Sequence, residues 1–171
     1  MSERRRINRL EFWLALLIPA ITIILIFTVW LGWFRISAII AGESVHHWLS
    51  WLGVGFIGLY LPAYSILKRR YQHKLTILNR IHVFGSLLSF AAIAVHFTHQ
   101  LTRPPEAFPA LGTGIALIVA LTISAITGFV LRFKLTGKWY KSWRWFHTTV
   151  ILSFYIIAII HILHGARIPG F

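Results

Sequence analysis

The 171-residue chain has no cysteine. That absence excludes disulfides, zinc–thiolate sites, iron–sulfur clusters and thioether-linked haem. Aspartate is absent too, so neither a Ser-His-Asp triad nor an aspartate-based phosphoryl-transfer site can be built. The acidic residues are four glutamates, Glu3, Glu11, Glu43 and Glu106, all at or beyond the ends of apolar runs. An ion-coupled transporter would carry an acid at mid-membrane depth, so that class has little support. Charge of either sign is scarce, at 12% of residues against 57% hydrophobic ones, which is too little polar surface for a soluble domain of this length.

What is present is apolar sequence in long runs. Five stretches reach the roughly 20 residues that cross a bilayer, at 12–34, 45–67, 78–101, 111–131 and 143–163. The expected fold is an all-α integral membrane bundle of five transmembrane helices, forming one domain over 1–171. The connections are short, and "TRPPEAFP" after the third span cannot continue a helix. Pro19 and Pro62 fall inside spans and are expected to kink them. The first run is too long for a cleaved signal peptide, and no small-residue cleavage site follows it.

The net charge of +13 comes from basic residues clustered between apolar runs, which points to an anionic membrane surface and not to nucleic acid. Of the 17 Lys and Arg residues, 14 fall on one side of the expected bundle, leaving only Arg35, Arg103 and Arg167 on the other. By the positive-inside rule the N-terminus is cytoplasmic and the C-terminus outside, in a multi-pass protein of the cell membrane. The eight tryptophans all lie near span ends, as an aromatic belt would.

Histidines interrupt this pattern. "RIHVFGSLLSFAAIAVHFTHQL" carries His82, His96 and His99, and "WFHTTVILSFYIIAIIHILHG" carries His147, His161 and His164 at the same intervals. An ionisable side chain within a span is costly unless it is partnered. The third and fifth spans run in the same direction. Fourteen residues of helix turn about 40° short of four full turns and rise about 21 Å. His82 with His147, and His96 with His161, therefore form two pairs at two depths. A bare cation there would lack ligands and counter-charge. A porphyrin supplies four nitrogens and two negative charges, leaving two axial positions for imidazoles. Two b-type haems on these four histidines are the expected cofactors. Arg80 and Arg144 inside, and Arg103 and Arg167 outside, are candidate propionate partners. Taken singly, each histidine also reads as a helix contact or an interfacial residue.

His99, His164, His46 and His47 lie towards the outer surface, the last two beside Glu43, as candidates for supporting the outer haem, lining a quinone pocket or facing water. His73 in "KRRYQHK" reads as solvent-exposed. Gly53, Gly55, Gly58, Gly85 and Gly128 read first as helix-packing positions. Ser86, Ser89, Thr148 and Ser153 are candidates for tuning a ligand or a propionate.

The histidine pairs "RIHVFGSLLSFAAIAVHF" and "WRWFHTTVILSFYIIAIIHIL" resemble the ferric reductase-like transmembrane domain of NADPH oxidases and ferric reductases. The resemblance covers roughly 10–165. It implies two stacked b haems on the third and fifth helices, ligated by His82, His96, His147 and His161. The sixth helix of the oxidases and their flavin and nicotinamide domain have no counterpart in this sequence, so the chain reads as an oxidoreductase component fed by a redox partner. The expected function is electron transfer across the bilayer as a subunit or partner of a redox complex. A quinone-reactive cytochrome b anchor and a haem-free membrane anchor or transporter subunit are the alternatives.

Overall fold

The computed structural model describes residues 9–34, 38–102 and 111–165. Five helices account for most of them: α1 (Arg9–Trp30), α2 (Val45–Arg70), α3 (Leu75–Leu101), α4 (Leu111–Arg132) and α5 (Tyr140–Gly165). All five are long and apolar enough to span a membrane, in agreement with the expected all-α architecture. Pro19 and Pro62 lie within continuous α1 and α2.

The turns explain where the helices stop. After α1 the amide of Trp33 reaches Thr28 O, that of Gly32 reaches Val29 O, and Gly32 takes a left-handed φ of 72°. After α4 the same pair of bonds runs from Leu135 to Val130 and from Lys134 to Leu131, with Lys134 at φ 55°. Both are Schellman closures, which satisfy the last carbonyls and reverse the chain. One feature escaped the sequence reading. Ahead of α2 sits a two-strand hairpin, β1 (Ile39–Ile40) and β2 (Glu43–Ser44), paired antiparallel through Ile40 and Glu43. Its two turn residues, Ala41 and Gly42, both have positive φ, 52° and 83°, as a tight hairpin of this hand requires.

Helix order determines which faces meet. α3 packs on α1, α2 and α4, and α5 packs on α4. The ring closes between α5 and α2, where Tyr155 donates its hydroxyl to Ile57 O at 2.7 Å. One core cluster draws on all four ring helices, with Ile57 and Leu61 from α2, Ile93 from α3, Leu121 from α4 and Phe154 from α5. α3 and α5 therefore sit diagonally, with α2 and α4 between them. Glu11 of α1 bonds Arg80 Nε near the start of α3 and Arg132 at the end of α4. The starts of α1 and α3 and the end of α4 thus share one end of the bundle, the basic end. Since α4 and α5 are also antiparallel, α3 and α5 run the same way, as expected.

Close approach is needed in two places. A Cβ on Gly53 would lie 3.0 Å from Ser89 O, and one on Gly85 would lie 2.1 Å from Phe56 Cζ. Both glycines thus serve α2–α3 contact. The outward faces are apolar throughout, with Leu52, Leu59, Leu88, Ile126, Leu152 and Ile156 all largely exposed. Patches of that extent mark a surface that meets lipid or protein.

Glu11→Ala leaves two arginines facing each other with no counter-charge. The expected loss is about 1–2 kcal/mol, discounted for partial solvent exposure. It is read as a lower thermal midpoint of the detergent-solubilised chain with unchanged helix content.

Candidate functional site

The diagonal placement of α3 and α5 leaves a cavity between them towards the basic end. Its free space is about 60 Å³, room for a few water-sized molecules. His82 enters from α3 and His147 from α5, among walls of Leu61, Leu87, Phe90, Leu121, Phe129 and Phe154. Ser86 and Ser124 also line it. His82 Nδ1, Ser86 Oγ and Ser124 Oγ are shut off from solvent with no hydrogen-bond partner among the described residues. Buried polar atoms are rarely left unsatisfied, and three around one apolar cavity indicate a site shaped for a ligand.

The two imidazoles are held in defined orientations. Tyr64 of α2 stacks on His82, with ring centroids 4.5 Å apart and planes 8° apart, and its own hydroxyl bonds Asn79 Oδ1. His147 is set by α4. Thr127 Oγ1 lies 2.8 Å from His147 Nδ1 and 2.8 Å from Ile123 O. The threonine hydrogen goes to the carbonyl, so the hydroxyl oxygen accepts from His147 Nδ1–H. This fixes the tautomer and leaves Nε2 with its lone pair, the arrangement that metal-ligating histidines use. The next residue, Gly128, makes room for the ring: a Cβ there would lie 3.2 Å from His147 Cε1.

The same device recurs one interval away. Thr113 Oγ1 lies 2.8 Å from His161 Nδ1, and a Cβ on Gly114 would lie 3.7 Å from His161 Cε1. Thr113-Gly114 and Thr127-Gly128 are fourteen residues apart on α4, matching His147 and His161 on the antiparallel α5. The sequence reading missed this Thr-Gly repeat, although its signal was there: the histidine interval recurring on a third helix.

At the opposite end the structure groups the histidines differently. His96 lies with His46 and His47 of α2, at ring centroid distances of 5.4 and 4.9 Å. His99 stands 3.8 Å from His46. His161 sits against α4 and Phe97. The cavity joins His82 to His147 and does not extend to His96 or His161. His164 and His73 are exposed. Arg80 is committed to Glu11, and Arg144 is exposed on α5. Arg103 and Arg167 lie outside the described residues. Of the proposed tuning hydroxyls only Ser86 reaches the cavity, since Thr148 and Ser153 bond back to Arg144 O and Thr149 O of their own helix.

The donor set fits a haem iron, whereas the free space of about 60 Å³ would have to widen between the helices to take the macrocycle. Two imidazoles face one apolar cavity from diagonal helices, and His147 has Nε2 available. Comparison of the chain with protein-family models, with curated proteins and with solved structures found no match.

Gly128→Leu fills the cavity beside His147 and is expected to cut cofactor retention at this level at least tenfold. Gly55→Leu, where an added Cβ meets nothing within 4 Å, serves as the control and is expected to keep the wild-type amount. Haem per chain after purification checks both.

Proposed function

We propose that this protein is a membrane cytochrome b that carries electrons across the cell membrane, as a subunit or partner of a redox complex. The cavity that His82 and His147 enter from diagonal helices is the observation that carries this reading. The apolar outward faces support insertion in a bilayer, and the basic-end bias supports a cytoplasmic N-terminus. The resemblance to the ferric reductase-like domain points the same way.

Haem bound between His82 and His147 supplies one-electron chemistry at iron. The chain's own residues do the rest. His82 and His147 would hold such a haem through a ring nitrogen each. Tyr64 and Thr127 hold the two rings, and Thr127 raises the donor strength of His147 by accepting its Nδ1 proton. The apolar walls keep water out, which favours a single ligation state and a small reorganisation on electron transfer. The Thr-Gly repeat supports a second b haem on His96 and His161, because it sets a threonine hydroxyl beside His161 Nδ1 at the same 2.8 Å as beside His147 Nδ1. Levels fourteen residues apart lie about 21 Å from each other along the helix. Lys68, Arg69 and Arg70 at the basic end offer a docking surface for an acidic electron donor, such as a flavoprotein or a ferredoxin-like protein.

The test is a reduced-minus-oxidised spectrum of the purified chain with haem quantified. Two haems per chain are expected, falling to one in His82→Ala and in His147→Ala. A chain that stays colourless when expressed with ample haem overturns the reading. Reduction by added quinol separates a quinone-reactive anchor from a carrier fed by a protein donor.

Thr127→Val removes the acceptor for His147 Nδ1–H and weakens the ligand as a donor. The midpoint potential of one haem is expected to rise while the other stays constant and haem content is unchanged. Thr127→Ser is expected to restore the original value, as followed by redox titration.

A further inference from the structure

The histidines at the end opposite the basic loops form a second constellation that the haem reading does not use. One ring nitrogen from each of His46, His47 and His96 can be chosen so that all three lie within 4.8 Å of one another. We propose that these three imidazoles bind one divalent transition-metal ion of the imidazole-preferring class, such as zinc.

Several observations carry this together. Three nitrogens around a tetrahedral ion at about 2.0–2.1 Å stand about 3.3 Å apart, so side-chain rotations of the order of an ångström close the site. The surroundings are already those of metal-ligating histidines. His47 Nδ1 lies 2.8 Å from Glu43 Oε2, so its ring donates to a carboxylate and turns Nε2 inward. That carboxylate–imidazole pairing fixes the tautomer and strengthens the ligand. His46 is almost wholly buried, with Ser44 Oγ 2.6 Å from its Nδ1 and 3.3 Å from its Nε2, so a polar side chain already holds the ring beside the other two. The β1–β2 hairpin places both supports, since Glu43 and Ser44 form β2. Glu43 also supplies a negative charge that the pairs deeper in the bundle lack. Gln100 Nε2 lies 3.1 Å from His47 Nε2 and must swing aside when an ion enters. Three protein nitrogens leave a fourth position open to water or another ligand.

His96 is shared. An ion on this triad takes the imidazole that the outer haem requires, so the two occupants exclude each other. Filling the triad leaves a one-haem form, cut off from electron flow at its outer level. This consequence rests on the two-haem reading, whereas ion binding itself does not.

The experiment uses the full-length purified chain carrying His161→Ala, which frees His96 from any outer haem. Zinc is titrated and bound metal is measured by elemental analysis, alongside the haem spectrum. One zinc per chain with a micromolar or tighter Kd is expected. At least a hundredfold weakening is expected on adding His46→Ala or His47→Ala, and about tenfold on adding Glu43→Gln, with the remaining haem signal intact as the check on folding. His73→Ala is expected to change nothing. No stoichiometric zinc, or zinc that survives both His46→Ala and His47→Ala, overturns the proposal. The fully haem-loaded wild type is expected to take up no zinc at this site, and uptake there with both haems retained overturns the sharing of His96. Should no variant hold haem, the function proposed above fails by that signal alone, and the zinc titration still decides the metal site.

Discussion

An imidazole in an apolar interior has to find a partner for its lone pair and for its N–H, and this requirement organises the bundle. The chain places its two principal histidine-bearing helices on a diagonal, where they cannot satisfy each other directly. α4 sets a threonine hydroxyl 2.8 Å from Nδ1 of each α5 histidine, Thr113 against His161 and Thr127 against His147. α2 covers His82 with the ring of Tyr64. At the basic end His82 and His147 face an apolar cavity with three buried polar atoms that have no hydrogen-bond partner among the described residues. Without the diagonal, α3 and α5 would pack side chain to side chain and no cavity would form.

The supports are distributed so that one helix serves both levels. The Thr-Gly pairs of α4 stand fourteen residues apart because α5 repeats at fourteen, and antiparallel packing brings the first of one against the last of the other. Threonine suits this role for a helical reason. Its hydroxyl hydrogen returns to the carbonyl three or four residues back, leaving the oxygen to accept from the imidazole. Glycine beside it removes the Cβ that would otherwise push the ring away. α1 does not line the cavity. It braces the outside of the α3–α4 pair through Phe12, against Phe129 and Phe133, and through Glu11 between two arginines.

The two ends of the molecule differ in kind. The basic end has an apolar cavity that one histidine enters from each of two diagonal helices. The opposite end gathers imidazoles in mutual contact beside a carboxylate, a serine and a glutamine, suited to a small cation or to proton exchange. The hairpin between α1 and α2 accounts for much of the difference, because it delivers Glu43 and Ser44 to the histidines that begin α2.

Sequence alone determined the class of fold, the number and approximate extent of the helices and which histidines fall within them. These follow from local composition: run length sets the spans, and a polar residue within an apolar run identifies itself by its cost. The equal intervals on the third and fifth runs also put His82 and His147 at one depth before any packing was known. Only tertiary structure decided what stands beside each ring. Arg80 read as free for an anionic cofactor and is instead bound to Glu11, 69 positions away in sequence. The place of Thr113 and Thr127 beside the α5 histidines came from the structure alone, because a threonine shows its partner only once a second helix lies against it. The grouping of His96 with His46 and His47 depends on the register of α2 on α3. That register is set by close contact at Gly53 and Gly85, which no periodicity in the chain records.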